Sequence, residues 1–178
     1  PERAQYLRMI TAELMRIASY MVGIGIFVMD LGAVSGAFYP FQQREYVLEC
    51  ISALCGARMT QNYIRVGGVY GDTNDDFDRA IKVFLDDFPK FLHMYHKLVD
   101  ENEIFVHRTK GIGKITAEQA KSYGLTGPNL RASGVAYDMR KAIPYCLYDR
   151  YDIKVPTREN GDCFDRYDIR MEEVENSY

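Results

Sequence analysis

Residues 17–33 read IASYMVGIGIFVMDLGA: thirteen uncharged residues in a row, a carboxylate at Asp30, then Leu31, Gly32 and Ala33. Upstream and through this stretch, Leu7, Ile10, Leu14, Ile17, Met21, Ile24, Val28 and Leu31 recur in threes and fours, the spacing of one face of a long packed helix over residues 3–31. At 1.5 Å per residue such a helix is roughly 40 Å long. Its first half is amphipathic, with Arg3, Arg8, Glu13 and Arg16 off the seam, whereas residues 17–29 carry no charge on any side. The second half therefore has to be buried by protein or lipid. Protein is the better choice, because the uncharged run is shorter than the ~20 residues a bilayer requires and contains Gly23 and Gly25.

Asp30 is the physical anomaly of this helix. It falls in the last turn, where the helix dipole disfavours an acid, and a carboxylate buried there costs free energy unless it is paired. Such a placement marks a proton-handling or ligand-facing group. Equally, Asp30 can cap its own loop at Gly32 or pair with a nearby arginine. The residues alone leave both readings open.

Gly32, Gly36 and Pro40 are read as ending the first helix, and a second, shorter helix is expected from about residue 41 to 55, with Val47, Ile51 and Leu54 on one side. Residues 56–71, which hold Gly67 and Gly68, read as a buried extended stretch or loop. A third helix over about 74–99 has the seam Phe77, Ile81, Phe84, Phe88, Phe91, Tyr95 and Leu98, and Pro89 within it predicts a kink or a break. Beyond Gly113 the elements shorten. Thr116, Ala117, Glu118 and Gln119 form a capping box, residues 151–155 are a candidate short strand, and Gly161-Asp162 is a turn and N-cap before a final helix over 163–176. That helix reads as still in progress at Tyr178, and the chain opens on Pro1 without an initiator methionine, so an internal piece of a longer protein is expected. The expectation is mainly α: a single piece over 1–178, with a long-helix bundle over 1–102 and a loop-rich part of short helices and a possible short strand over 103–178.

Several chemistries are disfavoured. A formal charge of −3 gives no general grip on nucleic acid, so none is expected as a partner. Cys50, Cys55, Cys146 and Cys163 form no CxxC pair, and Cys50 and Cys55 stand roughly 140° apart on a helix, so neither a metal nor a disulfide is expected. The acidic run 72–78 lacks the turn glycine and closing glutamate of a calcium loop, and suits a helix start instead. The Gly67-Gly68 and Gly111–Lys114 segments match neither dinucleotide nor P-loop patterns. His93, His96 and Asp100 share a helical face that reads as solvated, and Ser133 and Cys163 lack the surroundings of a nucleophile.

A set of separate strings then decides the matter by their order. They are Arg3-Ala4-Gln5-Tyr6-Leu7-Arg8, Asp30-Leu31-Gly32-Ala33, Arg44-Glu45, Gly56-Ala57-Arg58-Met59, and Tyr63-Ile64-Arg65 with Gly67-Gly68-Val69. Thr116-Ala117-Glu118, Tyr123-Gly124-Leu125-Thr126-Gly127, Leu130-Arg131-Ala132-Ser133-Gly134 and Asp138-Met139-Arg140-Lys141 follow. The last are Gly161-Asp162-Cys163-Phe164-Asp165-Arg166-Tyr167 and Arg170-Met171-Glu172-Glu173. Across essentially the whole chain these resemble the 49-kDa-type, hydrogenase-large-subunit-like family of subunits of respiratory complex I, the NADH:quinone oxidoreductases.

That resemblance implies the helical bundle of nickel-iron hydrogenase large subunits with a few short peripheral strands. It implies a quinone-site subunit that binds no NADH, metal or other cofactor itself. Quinone is its substrate, and it receives electrons from the terminal iron-sulfur cluster of a neighbouring subunit. Reduction is coupled to proton translocation. Partners would be that cluster subunit, other complex I subunits and the membrane arm, and the location the cytoplasmic side of a bacterial inner membrane, peripherally. Asp30 resembles the acid at the end of the quinone cavity, paired in the family with a histidine from a segment upstream of Pro1. Val22, Ile26 and Phe38 resemble cavity-lining positions, with plain core packing as the alternative. Arg58 and Arg65 resemble arginines near the cluster, with ion pairing to local acids as theirs. Thr60 departs from the pattern: it stands where many members have a histidine, and Tyr20 and Phe27 also replace histidines of some relatives. Alone, the chain is expected to be inactive. The rival readings are a large subunit of a membrane-bound nickel-iron hydrogenase or formate hydrogenlyase, and a non-catalytic helical scaffold whose aromatic third helix packs against partners.

Overall fold

Three long helices build the first part of the computed structural model, which describes residues 1–178: α1 (Glu2–Asp30), α2 (Val34–Cys55) and α3 (Asp75–Val99). The fold is mainly α, as expected. Its only strands are β1 (Ile64–Arg65) and β2 (Gly68–Val69), a two-residue antiparallel hairpin. The chain divides into two compact units, residues 1–99 with 177–178 and residues 100–176.

In the first unit α1 packs on α2 and α2 on α3. Leu7, Leu14, Ile17, Met21, Ile24 and Val28 are buried along α1, but Ile10 is exposed and Thr11 is buried in its stead, its hydroxyl donating to the Leu7 carbonyl at 2.7 Å. Along α3 the buried row is Phe77, Phe84, Phe88, Phe91, Tyr95 and then Val99, not the expected Leu98. Ordinary 3.6-residue drift moves the contact line by one position at each end. Two glycines set how closely α1 and α2 approach. A Cβ on Gly36 would lie 2.8 Å from Val28 Cγ1, and one on Gly25 would lie 3.3 Å from the Ala37 carbonyl oxygen.

Pro40 behaves differently from the sequence expectation, and of the kink or break expected at Pro89 the break does not occur. Helix α2 begins at Val34 and contains Pro40, so Pro40 does not end α1, and α3 runs unbroken through Pro89. A proline inside a helix leaves the carbonyl four residues earlier without its donor. Those carbonyls belong to Gly36 and Leu85. The Tyr95 hydroxyl donates to the first at 3.1 Å, and the Tyr178 hydroxyl donates to the second at 2.8 Å. Tertiary hydrogen bonds thus replace the two missing backbone donors, and the helices continue.

Helix α2 ends at Gly56, whose φ of 73° is the left-handed geometry that caps a helix. Cys50, in its last turns, is fully buried. Burial, reinforced by the neighbouring Glu49 charge, pushes its thiol up to about 11 from 9.0. Above pH 9 the unfolded chain ionises this thiol while the folded chain does not. The stability it contributes is complete below pH 9 and is lost as pH rises toward 11, a loss on the order of 2 kcal/mol. Denaturant titrations below pH 9 and near pH 11 check this: the difference between them is expected to shrink in Cys50→Ala.

The second unit holds α4 (Glu103–Thr109), α5 (Ala117–Ser122), α6 (Gly127–Ala132), α7 (Met139–Ala142), a 3-10 turn at Tyr148–Arg150, and α8 (Cys163–Ser177). The capping box at Thr116 and Gln119 forms as expected. The strand expected over 151–155 does not: after the 3-10 turn these residues run without a ladder partner.

Polar groups pin the loops of this unit. Asp162 accepts from the Asp165 amide at 2.9 Å, capping α8, and from the Gly111 amide at 2.7 Å. Gly161 has a φ of 63°, and a Cβ there would lie 2.1 Å from the Ile115 carbonyl oxygen, so the crossing of the two loops admits only glycine. Arg166 donates to the Gly161 and Gly113 carbonyls. The aspartates and arginine of the 161–167 string thus hold two loops and a helix start together. Deeper in, Arg131 pairs with Glu173, both buried, and donates to the Tyr137 carbonyl at 2.7 Å.

Candidate functional site

The last two turns of α1 and the first turns of α2 form the site that the sequence singles out. Two short backbone bonds make the connection: Gly32 N–H donates to the Met29 carbonyl at 2.8 Å and Ala33 N–H to the Val28 carbonyl at 3.2 Å. With Gly36 seated against Val28, α2 turns back directly along α1. One side of the α1 tail, Met21, Ile24, Gly25 and Val28, is thereby buried.

The other side is not. Ile26 is 40% exposed, Met29 39% and Asp30 exposed, while Val22 is half-buried. Of the two readings that the sequence leaves open for Asp30, the structure shows an exposed carboxylate, and within this chain α2 covers only one face of the uncharged run. At the start of α2, Phe38 is 68% exposed, and Val34 and Tyr39 are also open. Ile26 and Val22 precede Asp30 by one and two turns, on roughly its side of the helix. The chain thus presents a carboxylate at the end of an apolar surface that its own side chains leave bare. Surface of this kind marks an interaction or ligand-binding face. Helix α1 is also long and apolar enough by length and composition to cross a membrane, but its core face is filled by α2.

The three residues expected near a cluster lie on the segment after α2. Arg58 is ion-paired with Glu45 of α2, the local pairing that the sequence left open as an alternative. Thr60 is exposed. Arg65, also exposed, donates from Nε to the Asn62 carbonyl at 2.9 Å and lies over the Tyr70 ring, 5.5 Å from its centre. Arg8 grips the hairpin that carries Arg65, donating to the Arg65 and Gly68 carbonyls at 2.8 and 3.0 Å. Arg8 precedes Asp30 by 22 residues, or roughly 33 Å of helix. Asp30, Ile26, Val22 and Phe38 therefore belong to one end of the first unit and Arg65 to the other, with the Arg58–Glu45 pair between them.

Near the hairpin, Arg3 donates to the Asp72 carboxylate at 2.8 Å, and this bond holds the Asp72 carboxyl below the usual carboxylate range. Burial, together with the Asp72 charge, raises the Tyr63 hydroxyl above its ordinary value. Tyr95, buried and bonded to Gly36 beside the site, was visible in the sequence only as a member of the aromatic seam. The signal that could have singled it out is Pro40, which creates a carbonyl in need of a donor.

The family described as "Respiratory-chain NADH dehydrogenase, 49 Kd subunit" matches residues 30–178. An NADH-quinone oxidoreductase subunit of Geobacillus kaustophilus (strain HTA426) is 49% identical over 177 residues, covering 99% of this chain and 48% of the relative. The equivalent NADH-quinone oxidoreductase subunits of Bacillus mycoides (strain KBAB4) and Clostridium beijerinckii (strain ATCC 51743 / NCIMB 8052) are 49% and 48% identical over the same shares. The chain spans about half the length of the curated relatives it matches.

Proposed function

Because the chain belongs to the respiratory-chain NADH dehydrogenase 49 Kd subunit family, we propose that it forms part of the quinone-reducing site of an NADH:quinone oxidoreductase. Val22, Ile26 and Phe38 line an apolar passage for the quinone, and Asp30 stands at its end. The carrying observation is the bare apolar surface that ends on a carboxylate at the α1–α2 turn. A lipid-soluble headgroup gains by leaving water against such a surface. Once other chains cover it, Asp30 loses its solvent and requires a hydrogen-bonding or cationic partner.

The reaction adds two electrons and two protons to a quinone, giving a quinol. Electrons arrive from an iron-sulfur cluster of a neighbouring subunit. Asp30 is placed to hold a protonatable partner side chain and to respond when the reduced quinone takes up its protons. That response is the step we assign to coupling with proton translocation by a membrane arm. The parent complex is membrane-associated, with this subunit peripheral on the cytoplasmic side of a bacterial inner membrane. The hydrogenase and formate hydrogenlyase reading is set aside on the family match.

Crosslinking tests the proposal. A photoreactive quinone analogue added to the assembled enzyme is expected to label the peptides holding residues 22–38, and to label them less in Asp30→Asn. Labelling confined to other segments would overturn it. It would also favour the scaffold reading, with which an exposed Asp30 is equally compatible.

Thr60 bears on the choice of quinone. A histidine there would gain a proton as a nearby cluster is reduced, whereas threonine does not titrate. We therefore expect a cluster potential nearly independent of pH, suited to a low-potential quinone such as menaquinone. A redox titration followed by electron paramagnetic resonance checks this. A steep pH dependence in the native enzyme would count against it.

A further inference from the structure

We infer that Tyr95 is a positioning residue for this site, because its hydroxyl occupies the carbonyl that Pro40 leaves open and so fixes the turn of α2 that carries Phe38. The inference rests on the quinone-site reading above. Its structural half stands on geometry alone.

Within α2 the amide of residue 40 would bond the Gly36 carbonyl, and proline has no such amide. Gly36 is buried, so an unpaired carbonyl there would go without water as well. The Tyr95 hydroxyl supplies the missing donor at 3.1 Å in a buried contact. Its ring is fully buried and stacked on Phe91, with ring centres 5.2 Å apart, so the hydroxyl is held at a set height on α3.

Gly36 is also packed against α1. The space for a side chain is already occupied by Val28, two residues before Asp30. The first turn of α2 is therefore held by both Val28 of α1 and Tyr95 of α3. Phe38 follows Gly36 by two residues, and the 31–33 connection to Asp30 precedes it. A proline-bearing turn makes only part of the usual helix ladder, so its position depends on this tertiary bond more than a regular turn would.

Two substitutions in the full-length subunit of the assembled enzyme isolate the bond. Tyr95→Phe removes one oxygen and keeps the ring. Pro40→Ala returns an amide to the Gly36 carbonyl and makes the hydroxyl dispensable. Tyr95→Phe is expected to raise the KM for a short-chain quinone about three- to tenfold, the equilibrium worth of one hydrogen bond. NADH oxidation by a hydrophilic acceptor that bypasses the quinone should stay unchanged. Amide exchange in peptides spanning residues 33–39 should quicken. The double variant Pro40→Ala/Tyr95→Phe is expected to bring both KM and exchange back toward the parent.

Unchanged exchange in Tyr95→Phe would overturn the inference at its structural root. So would a double variant no better than the single one. Quicker exchange with an unchanged KM would show the turn loosened without effect on quinone. That outcome removes the positioning role and leaves the quinone-site reading to the crosslinking test. An equal fall of quinone-dependent and bypass activities would mean lost assembly and would likewise overturn the inference.

Discussion

Asp30→Asn is expected to lower quinone-dependent NADH oxidation by the assembled enzyme about a hundredfold, the usual scale for losing a group that handles a proton in the reaction. Oxidation of NADH by a hydrophilic acceptor that bypasses the quinone should be retained. Asparagine keeps the volume and the hydrogen-bonding reach of the carboxylate but cannot carry its charge. The loss would therefore report on charge and proton handling at the end of α1, not on packing. Because Asp30 is exposed in the chain by itself, the substitution should leave the stability of the chain nearly unchanged. That separates it from variants that act by unfolding. Turnover equal to the parent would remove Asp30 from the reaction.

The second large effect lies in the other unit. Glu173→Gln is expected to destabilise the full-length subunit by about 3–5 kcal/mol, the cost of leaving a buried charge without its partner. Arg131 and Glu173 have side-chain exposures of 5% and 0%, and water does not reach the pair to compensate. Replacing both residues, with Arg131→Met and Glu173→Leu, should recover most of the loss, since apolar side chains need no partner. A shift of the denaturation midpoint at constant slope is the measurement. A single variant within about 1 kcal/mol of the parent would place the pair among solvent-screened ion pairs.

The two effects differ in how far the sequence foretold them. Asp30 was conspicuous, because a charge after thirteen uncharged residues breaks a local pattern that needs no structure to see. Glu173 was not, because it sits among Glu172 and Glu175 in a helix whose charged residues look solvated. Its partner stands 42 residues earlier in α6, and no periodicity encodes that separation.

The three long helices, their apolar faces and the capping box could be read from the chain, since spacing and propensity act over a few residues. The ordered strings likewise carried the family resemblance. Tertiary structure decided what depends on residues far apart. Pro40 reads as a helix end and Pro89 as a kink or a break, yet both helices continue, with Tyr95 and Tyr178 approaching from elsewhere in the chain to bond the carbonyls that the prolines free. A uniformly apolar α1 tail looked wholly buried, but whether a given face is covered depends on which helix lies against it. Here α2 lies against one face, and Asp30 and its apolar neighbours remain open. Local sequence sets what a segment prefers. Contacts made across long stretches of chain set which of its groups end up paired, buried or free to act.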